Sequence, residues 1–220
     1  MYDEMMLDKR LRPIVKSPDM PKLLRDLQAI WVREQQQRQE FYDWVTPEMK
    51  AEFIDGEVIV HSPVRKKHNA ITGALFKLLD TYCIKNDLGF VGIEKIMTRF
   101  ERNDYEPDIV FFGKEKAVKL SDDQTIFPVP DFIVEVISDS TEARDRGVKF
   151  TDYALHQVRE YWIIDPETET VEQYVLQDGE YALKAAITKG SLESLAIKGF
   201  QIPVRAIFDQ AEQIEALKKM

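Results

Sequence analysis

Glu106-Pro107-Asp108-Ile109-Val110-Phe111-Phe112 and Asp131-Phe132-Ile133-Val134-Glu135-Val136-Ile137 are the stretches on which the reading of this chain turns. Each is a short apolar run rich in β-branched and aromatic residues, the signature of a buried strand. Each also holds one carboxylate, Asp108 or Glu135, where a charge is costly unless it is paired or holds a cation. Two such acids on successive strands predict a shared divalent ion. Magnesium takes oxygen ligands and needs only one or two protein carboxylates, and the backbone carbonyl of Val136 is a candidate third donor. Lys149, on the next predicted helix, supplies an amine to orient a water or to stabilise a pentavalent phosphate. Two carboxylates and an amine in this order are the parts of a phosphodiesterase that uses Mg2+, with Mn2+ as a substitute.

Outward from these strands the pattern alternates between helix and strand periods. Lys66 to Asn86 places Ile71, Leu75, Leu78, Leu79 and Tyr82 on one face, which predicts an amphipathic helix. Ala51 to Val60 reads as a hairpin about Asp55-Gly56, and Thr170–Leu176 with Glu180–Thr188 as a second about Asp178-Gly179. Strands are expected near 89–101, 107–112 and 131–137. A helix is expected from Thr141 to His156, with Asp139 and Glu142 as a capping box. Arg159 to Pro166 reads as another strand, and a closing helix runs from about Val204 to Lys218. Upstream, Leu23, Leu24, Leu27, Ile30 and Trp31 recur at helical spacing, with Arg33 to Glu40 as the exposed part of the same helix. Residues 1–18, with Pro13 and Pro18, read as an aperiodic arm. The order predicts an α/β domain, a mixed sheet flanked by helices. Residues 1–40 are taken as an N-terminal arm and helix, and residues 41–220 as the main domain.

Composition excludes several classes. The chain has 220 residues, 44% of them hydrophobic, enough for one ordinary core. No apolar run is long enough to span a membrane, and the acidic start does not resemble a secretory signal. Cys83 is the one cysteine, which excludes an internal disulfide and fits a reducing cytoplasm; within its apolar helix it reads as a buried, inert thiol. The net charge of −9 argues against indiscriminate coating of nucleic acid but not against a nuclease whose basic groups cluster locally. Candidate clusters are Lys9-Arg10-Leu11-Arg12 and Arg65-Lys66-Lys67-His68, each of which reads by itself as solvated surface. With three histidines, a zinc site of ordinary spacing is not indicated. Gly113-Lys114-Glu115-Lys116 reads as a loop and not as a phosphate cradle.

An ordered set of short motifs narrows the class further. Asp55-Gly56-Glu57, Ser62-Pro63, the helix of His68, Glu106-Pro107-Asp108 and Pro130-Asp131-x-x-x-Glu135-Val136-Ile137-Ser138 occur in that order. Ser140-Thr141, Asp145-x-x-x-Lys149-x-x-x-Tyr153 and Glu160-Tyr161-Trp162-x-x-Asp165-Pro166 follow. Over about residues 45–188 this resembles the Uma family of putative restriction endonucleases, a branch of the PD-(D/E)xK nuclease superfamily. The resemblance implies a restriction-endonuclease-like fold and a magnesium-dependent endonuclease acting on the phosphodiester bonds of DNA. By position Asp108 and Glu135 match the two superfamily carboxylates. The superfamily lysine would stand two residues after Glu135, where this chain has Ile137; Lys149 matches a lysine contributed by the following helix instead. Glu57 and His68 match positions that complete such sites. Superfamily members often cut both strands as paired subunits, so a homodimer is expected by analogy. Asp139 replaces a common proline and Gln157 a typical glycine; neither touches the proposed chemistry.

Other readings compete at particular residues. Asp145 and Lys149 stand at i and i+4, and spacing alone reads them as an exposed ion pair. His61 and His156 show no partner by spacing and read as fillers. Tyr161 and Trp162 alternate across a strand, so one of them is expected in the core. A catalytically silent nucleic-acid-binding or regulatory protein on the same fold is the main alternative. An interaction module whose strand charges are satisfied by ion pairs is the other.

Overall fold

In a computed structural model, which describes residue 8 and residues 11–220, the elements run in the following order. First come α1 (Arg12–Val15), α2 (Met20–Trp44), β1 (Ala51–Ile54), β2 (Glu57–Val60), α3 (Lys66–Asn86), β3 (Gly89–Ile93), β4 (Met97–Arg99) and β5 (Asp104–Tyr105). Then follow β6 (Ile109–Gly113), α4 (Lys114–Ala117), β7 (Ile126–Phe127), β8 (Phe132–Val136), α5 (Glu142–Asp145), α6 (Val148–Leu155) and β9 (Glu160–Asp165). Last are β10 (Thr170–Gln177), β11 (Glu180–Ile187), β12 (Ser191–Glu193), β13 (Gln201–Pro203), α7 (Arg205–Phe208) and α8 (Gln210–Lys219). Of the arm expected at 1–18, residues 1–7 and the basic Lys9 and Arg10 lie outside the described residues, and the rest is not wholly aperiodic, since Arg12–Val15 makes one helical turn.

The central sheet has the order β11-β10-β9-β8-β6-β3. Only β8 and β9 run parallel; the other neighbours are antiparallel. This is the expected α/β architecture, a mixed sheet flanked by helices. Side-chain alternation sends Ile109, Phe111, Phe132, Val134 and Trp162 to one face, where Leu75, Leu78 and Leu79 of α3 cover them. Val110, Phe112, Ile133, Tyr161 and Ile163 point to the other face, against Tyr153 of α6. Both faces are covered, so Tyr161 and Trp162 are each fully buried, where only one was expected in the core. A second sheet, β2-β1-β5-β4-β7, packs Ile54 and Tyr105 into the α6 side.

Several sequence expectations need correction. The strand expected over 89–101 breaks at Glu94 and Lys95, both non-glycine residues with positive φ, into β3 and β4. The helix expected from Thr141 to His156 divides into α5 and α6 at Arg146-Gly147, and Asp139 does not cap it; Thr141 stands at the N-cap without a side-chain bond. The closing helix divides into α7 and α8 at Asp209, whose carboxylate accepts from the Glu212 N–H at 2.9 Å. Lys114–Ala117, expected as loop, makes one helical turn. Along α2 the exposure expected of Arg33 to Glu40 holds at Arg33, Gln36, Gln37, Gln39 and Glu40 but fails at Glu34 and Arg38. Glu34 and Arg38 are buried because each carboxylate or guanidinium meets a fixed partner: Arg102 for Glu34 and Asp104 for Arg38. Leu23, Leu24, Leu27, Ile30 and Trp31 are exposed.

Candidate active site

The strand register brings the two strand acids together. Ile109 pairs with Val134 across the antiparallel β6–β8 ladder, so Asp108 and Glu135 stand opposite each other one step further along. Their parity with Val110 and Ile133 puts both on the α6 side of the sheet. Here α6 delivers Lys149, whose ammonium lies 2.9 Å from Glu135 Oε1, 2.9 Å from Glu52 Oε1 and 3.3 Å from Asp145 Oδ1. Tyr153, one turn on, donates its hydroxyl to the same Glu135 oxygen at 3.0 Å. The sequence-predicted trio of Asp108, Glu135 and Lys149 therefore converges, at the floor of a cleft of about 590 Å³. Asp145 and Lys149 are 2% and 3% exposed, so they are a buried pair and not the surface pair that spacing suggested.

One carboxylate, Glu52, joins this cluster in a way the sequence reading did not foresee. Glu52, central in β1, is fully buried; its Oε1 accepts from the Glu106 N–H at 2.9 Å and its Oε2 faces His61 Nε2 at 3.0 Å. Glu57, the expected acid of this hairpin, is exposed on β2, is not among the residues lining the cleft, and is not brought to the cluster. The signal was available: Glu52 interrupts the apolar run Ala51-Glu52-Phe53-Ile54, the same criterion that singled out Asp108 and Glu135. His61 likewise has a partner, contrary to its reading as a filler. His156 also has partners, stacking edge-on against Phe100 and bonding to the Asp152 carbonyl at 2.9 Å.

On the cleft side of Asp108 a second set gathers. Asp108 Oδ2 accepts from the Val136 N–H at 2.8 Å, which leaves Oδ1 facing the cleft. Lys50 Nζ lies 3.0 Å from that Oδ1 and 2.8 Å from Glu94 Oε2. His68, on the first turn of α3, puts Nε2 3.2 Å from Asp108 Oδ1 but without hydrogen-bond alignment, so the ring nitrogen has no satisfied partner. Glu94 Oε1 is likewise buried without one. Donor atoms of His68, Glu94 and Asp108 all lie within 4.8 Å of one another. Buried donors without partners are what a site built for a cation leaves behind, and the set fits a divalent ion. Lys50 sits in no apolar run, and Glu94 interrupts the run Phe90 to Met97 together with Lys95; the sequence reading singled out neither.

Burial and neighbouring charge pull these groups apart in acidity. Burial alone would raise the Glu52 carboxyl, but Lys149 and His61 bring it down to about 2. Asp108 is also lowered: burial opposes its charge, and the His68 contact, the Lys50 ammonium and the Val136 N–H outweigh it. Glu135 moves the other way, since burial raises it, Lys149 only partly compensates, and Asp145, Asp108 and Glu52 raise it further. Burial also lifts Glu106 to about 7, against the opposing Ala51 N–H and Lys50. Lys149 stays charged, because the surrounding carboxylates overcome its burial. Pairs of carboxylates driven to opposite protonation are a frequent property of hydrolytic sites.

At the mouth of the cleft stand Arg65, Lys67 and Arg144. Arg65 lies 3.9 Å from Asp139 and Lys67 3.2 Å from Glu167, both pairs well exposed. The basic run at the start of α3 thus lies on the rim of the site. Cys83 is buried away from it, and burial raises its thiol to about 12, which keeps it unreactive.

Comparison with known proteins identifies the family and the fold. The model of the Uma2 family, described as "Putative restriction endonuclease", matches residues 38–205. An uncharacterized protein of Synechocystis sp. is 30% identical over 128 residues, covering 57% of this chain and 71% of its own. The crystal structure of a putative nuclease belonging to DUF820 from Anabaena variabilis superposes with a TM-score of 0.67 at 18% identity. That superposition covers 81% of this chain and 97% of the other, and it shows a shared fold.

Proposed function

The chain belongs to the Uma2 family of putative restriction endonucleases and has a restriction-endonuclease-like fold, and from that premise we propose that it is a Mg2+-dependent DNA endonuclease hydrolysing phosphodiester bonds. One observation carries the reading: Asp108, Glu135 and Lys149, far apart in sequence, meet at one cleft floor beside buried donors that lack partners. Asp108 and Glu135, with the Val136 carbonyl, would hold the ion, and His68 and Glu94 extend the donor set. When bound, the ion would supply Lewis acidity to the scissile phosphate and lower the pKa of a coordinated water. Lys149 orients that water and balances charge growing on the phosphate. Glu52 and Asp145 hold the Lys149 ammonium in place, and Tyr153 fixes the Glu135 carboxylate. Mn2+ is expected to substitute for Mg2+.

The test is cleavage of plasmid DNA in Mg2+ by the full chain and by Asp108→Ala. The variant should lose cleavage while keeping its circular dichroism spectrum and cooperative unfolding. Undiminished cleavage by Asp108→Ala would remove Asp108 from the site.

The same proposal includes the domain limits and the assembly. Residues 41–220 form the nuclease domain and residues 1–40 an appended arm and helix, although α2 crosses position 40 without a break. One cleft cuts one strand, so a duplex cut calls for two copies. The apolar stripe of α2 favours a second copy of this chain as its cover. Its C-terminal half packs Phe41 against Phe53, and its N-terminal half leaves Leu24, Leu27, Ile30 and Trp31 exposed along the same line. No helix among the described residues is long and apolar enough to cross a membrane. We assign the protein to the cytoplasm.

A further inference from the structure

Lys50 is a cleft cation that neither the strand pattern nor the family motifs singled out, and its placement is specific. It directly precedes β1, and its ammonium bridges Glu94 Oε2 and Asp108 Oδ1 at 2.8 and 3.0 Å. Glu94 reaches this position from a turn in which it and Lys95 hold φ of 49° and 42°, a conformation that side-chain-bearing residues rarely adopt. Two further contacts stabilise that turn: the Glu94 N–H donates to the Asp108 carbonyl at 3.0 Å, and Lys95 donates to the Pro47 and Glu48 carbonyls at 3.0 Å each. The turn therefore grips the segment that carries Lys50 and, with its neighbouring carboxylate, receives the Lys50 ammonium.

The bridge is nevertheless incomplete. An ammonium contributes one charge and three donors. It satisfies one oxygen of Glu94, leaves Glu94 Oε1 buried without a hydrogen bond, and leaves His68 Nε2 with only its unaligned 3.2 Å contact to Asp108 Oδ1. A divalent ion placed among these donors, all within 4.8 Å of one another, would meet every one of them. The ammonium competes with it there, because it already holds one carboxylate oxygen of Glu94 and one of Asp108.

We propose that Lys50 is a tethered counterion that occupies the cation position of this cleft until a divalent ion displaces it, and that the released ammonium then meets a phosphate oxygen of the substrate. The inference rests on the nuclease reading of the site. It gives the metal-free protein a way to keep Asp108 and Glu94 charged and correctly placed without an ion. It also gives the loaded protein a second phosphate-binding ammonium beside Lys149.

Calorimetric titration of Mn2+ and of Mg2+ into the full chain without DNA tests the exchange. Removing the competitor in Lys50→Met should tighten binding of either ion at least tenfold, whereas Lys50→Arg, which keeps the charge, should stay near the original affinity. A merely structural lysine would leave affinity unchanged or weaken it. If Lys50→Met proves too unstable to titrate, its melting temperature provides the second readout, and Mn2+ should raise it further than it raises that of the unaltered chain. Binding by the unaltered chain with no gain in Lys50→Met, or an equal melting shift in both, overturns the role of Lys50 and leaves the cation site standing. Folded proteins that both fail to bind either ion overturn the cation site together with this inference.

Discussion

Glu106 shows how burial alone can set the charge of a residue beside the site. Its carboxyl is raised to about 7, so it is neutral in the folded protein at a pH where the unfolded chain, near 4.5, would be charged. Between those values the folded state binds the extra proton, and stability falls as pH rises. The contribution is fully present below about 4.5 and is lost as pH passes about 7. Glu106→Gln keeps an oxygen for the Ala51 N–H and removes the titration. Urea unfolding at pH 5 and pH 8 should show the variant gaining on the original chain at the higher pH. An unchanged difference between the two proteins at both values would mean that Glu106 is not held neutral. Lys149 presents the opposite case, a charge that must stay. Lys149→Met strands Glu52, Glu135 and Asp145 without their ammonium, and removing one partner from a buried pair costs roughly 3–5 kcal/mol. Denaturant titration should find a loss of that order. A loss well under ~1 kcal/mol would show that the carboxylates neutralise one another by sharing protons.

At the level of elements, the sequence was most legible where one face or one period repeats. The α3 helix runs over the residues its periodicity predicts, and both glycine hairpins turn where Asp55-Gly56 and Asp178-Gly179 place them, with positive φ at all four residues. The placement of Asp108 and Glu135 was legible because each interrupts an apolar run, whereas Lys149 was picked out by the helix that follows them and by the family motifs. Glu94 and Lys50 were not, because a strained turn and a loop carry them and leave no period to read. The divided helix between Thr141 and His156 escaped for a related reason: Asp145, Lys149 and Tyr153 keep an i, i+4, i+8 spacing straight through the break. Gly147 marks the break physically. A Cβ there would lie 2.6 Å from the Ala143 carbonyl oxygen, a backbone atom with little room to give. Gly147→Ala should therefore cost about 1–3 kcal/mol by denaturant unfolding, and it should shift Lys149, which begins two residues later. If this variant matches the original in stability, the two helices accommodate a side chain and the break is not steric.

For the whole molecule, the proposed function requires a chain of net charge −9 to hold a polyanion. The acids are spread, and many are already paired, whereas Arg65, Lys67 and Arg144 share the mouth of one cleft. Arg65 and Lys67 face Asp139 and Glu167 there, exposed pairs that water and salt weaken readily. A phosphate backbone entering the cleft would take over those two cations and leave the acids to solvent. Binding should then depend on salt through the few local contacts and not through the net charge. Duplex binding measured in Ca2+ at several salt concentrations should give a log–log slope that becomes shallower by about 2 when Arg65 and Lys67 are both replaced by alanine. The proposed dimer enters the same experiment, since two clefts on one duplex would double the contacts. Trp31→Glu with Leu24→Glu places charge on the exposed stripe of α2, far along the helix from the buried Arg38–Asp104 pair. In sedimentation equilibrium these substitutions should convert a dimer to a folded monomer, and in the binding series they should about halve the slope. A monomeric unaltered chain would exclude α2 as a dimer contact, and a slope unaffected by the cleft-mouth alanines would place the DNA on another face.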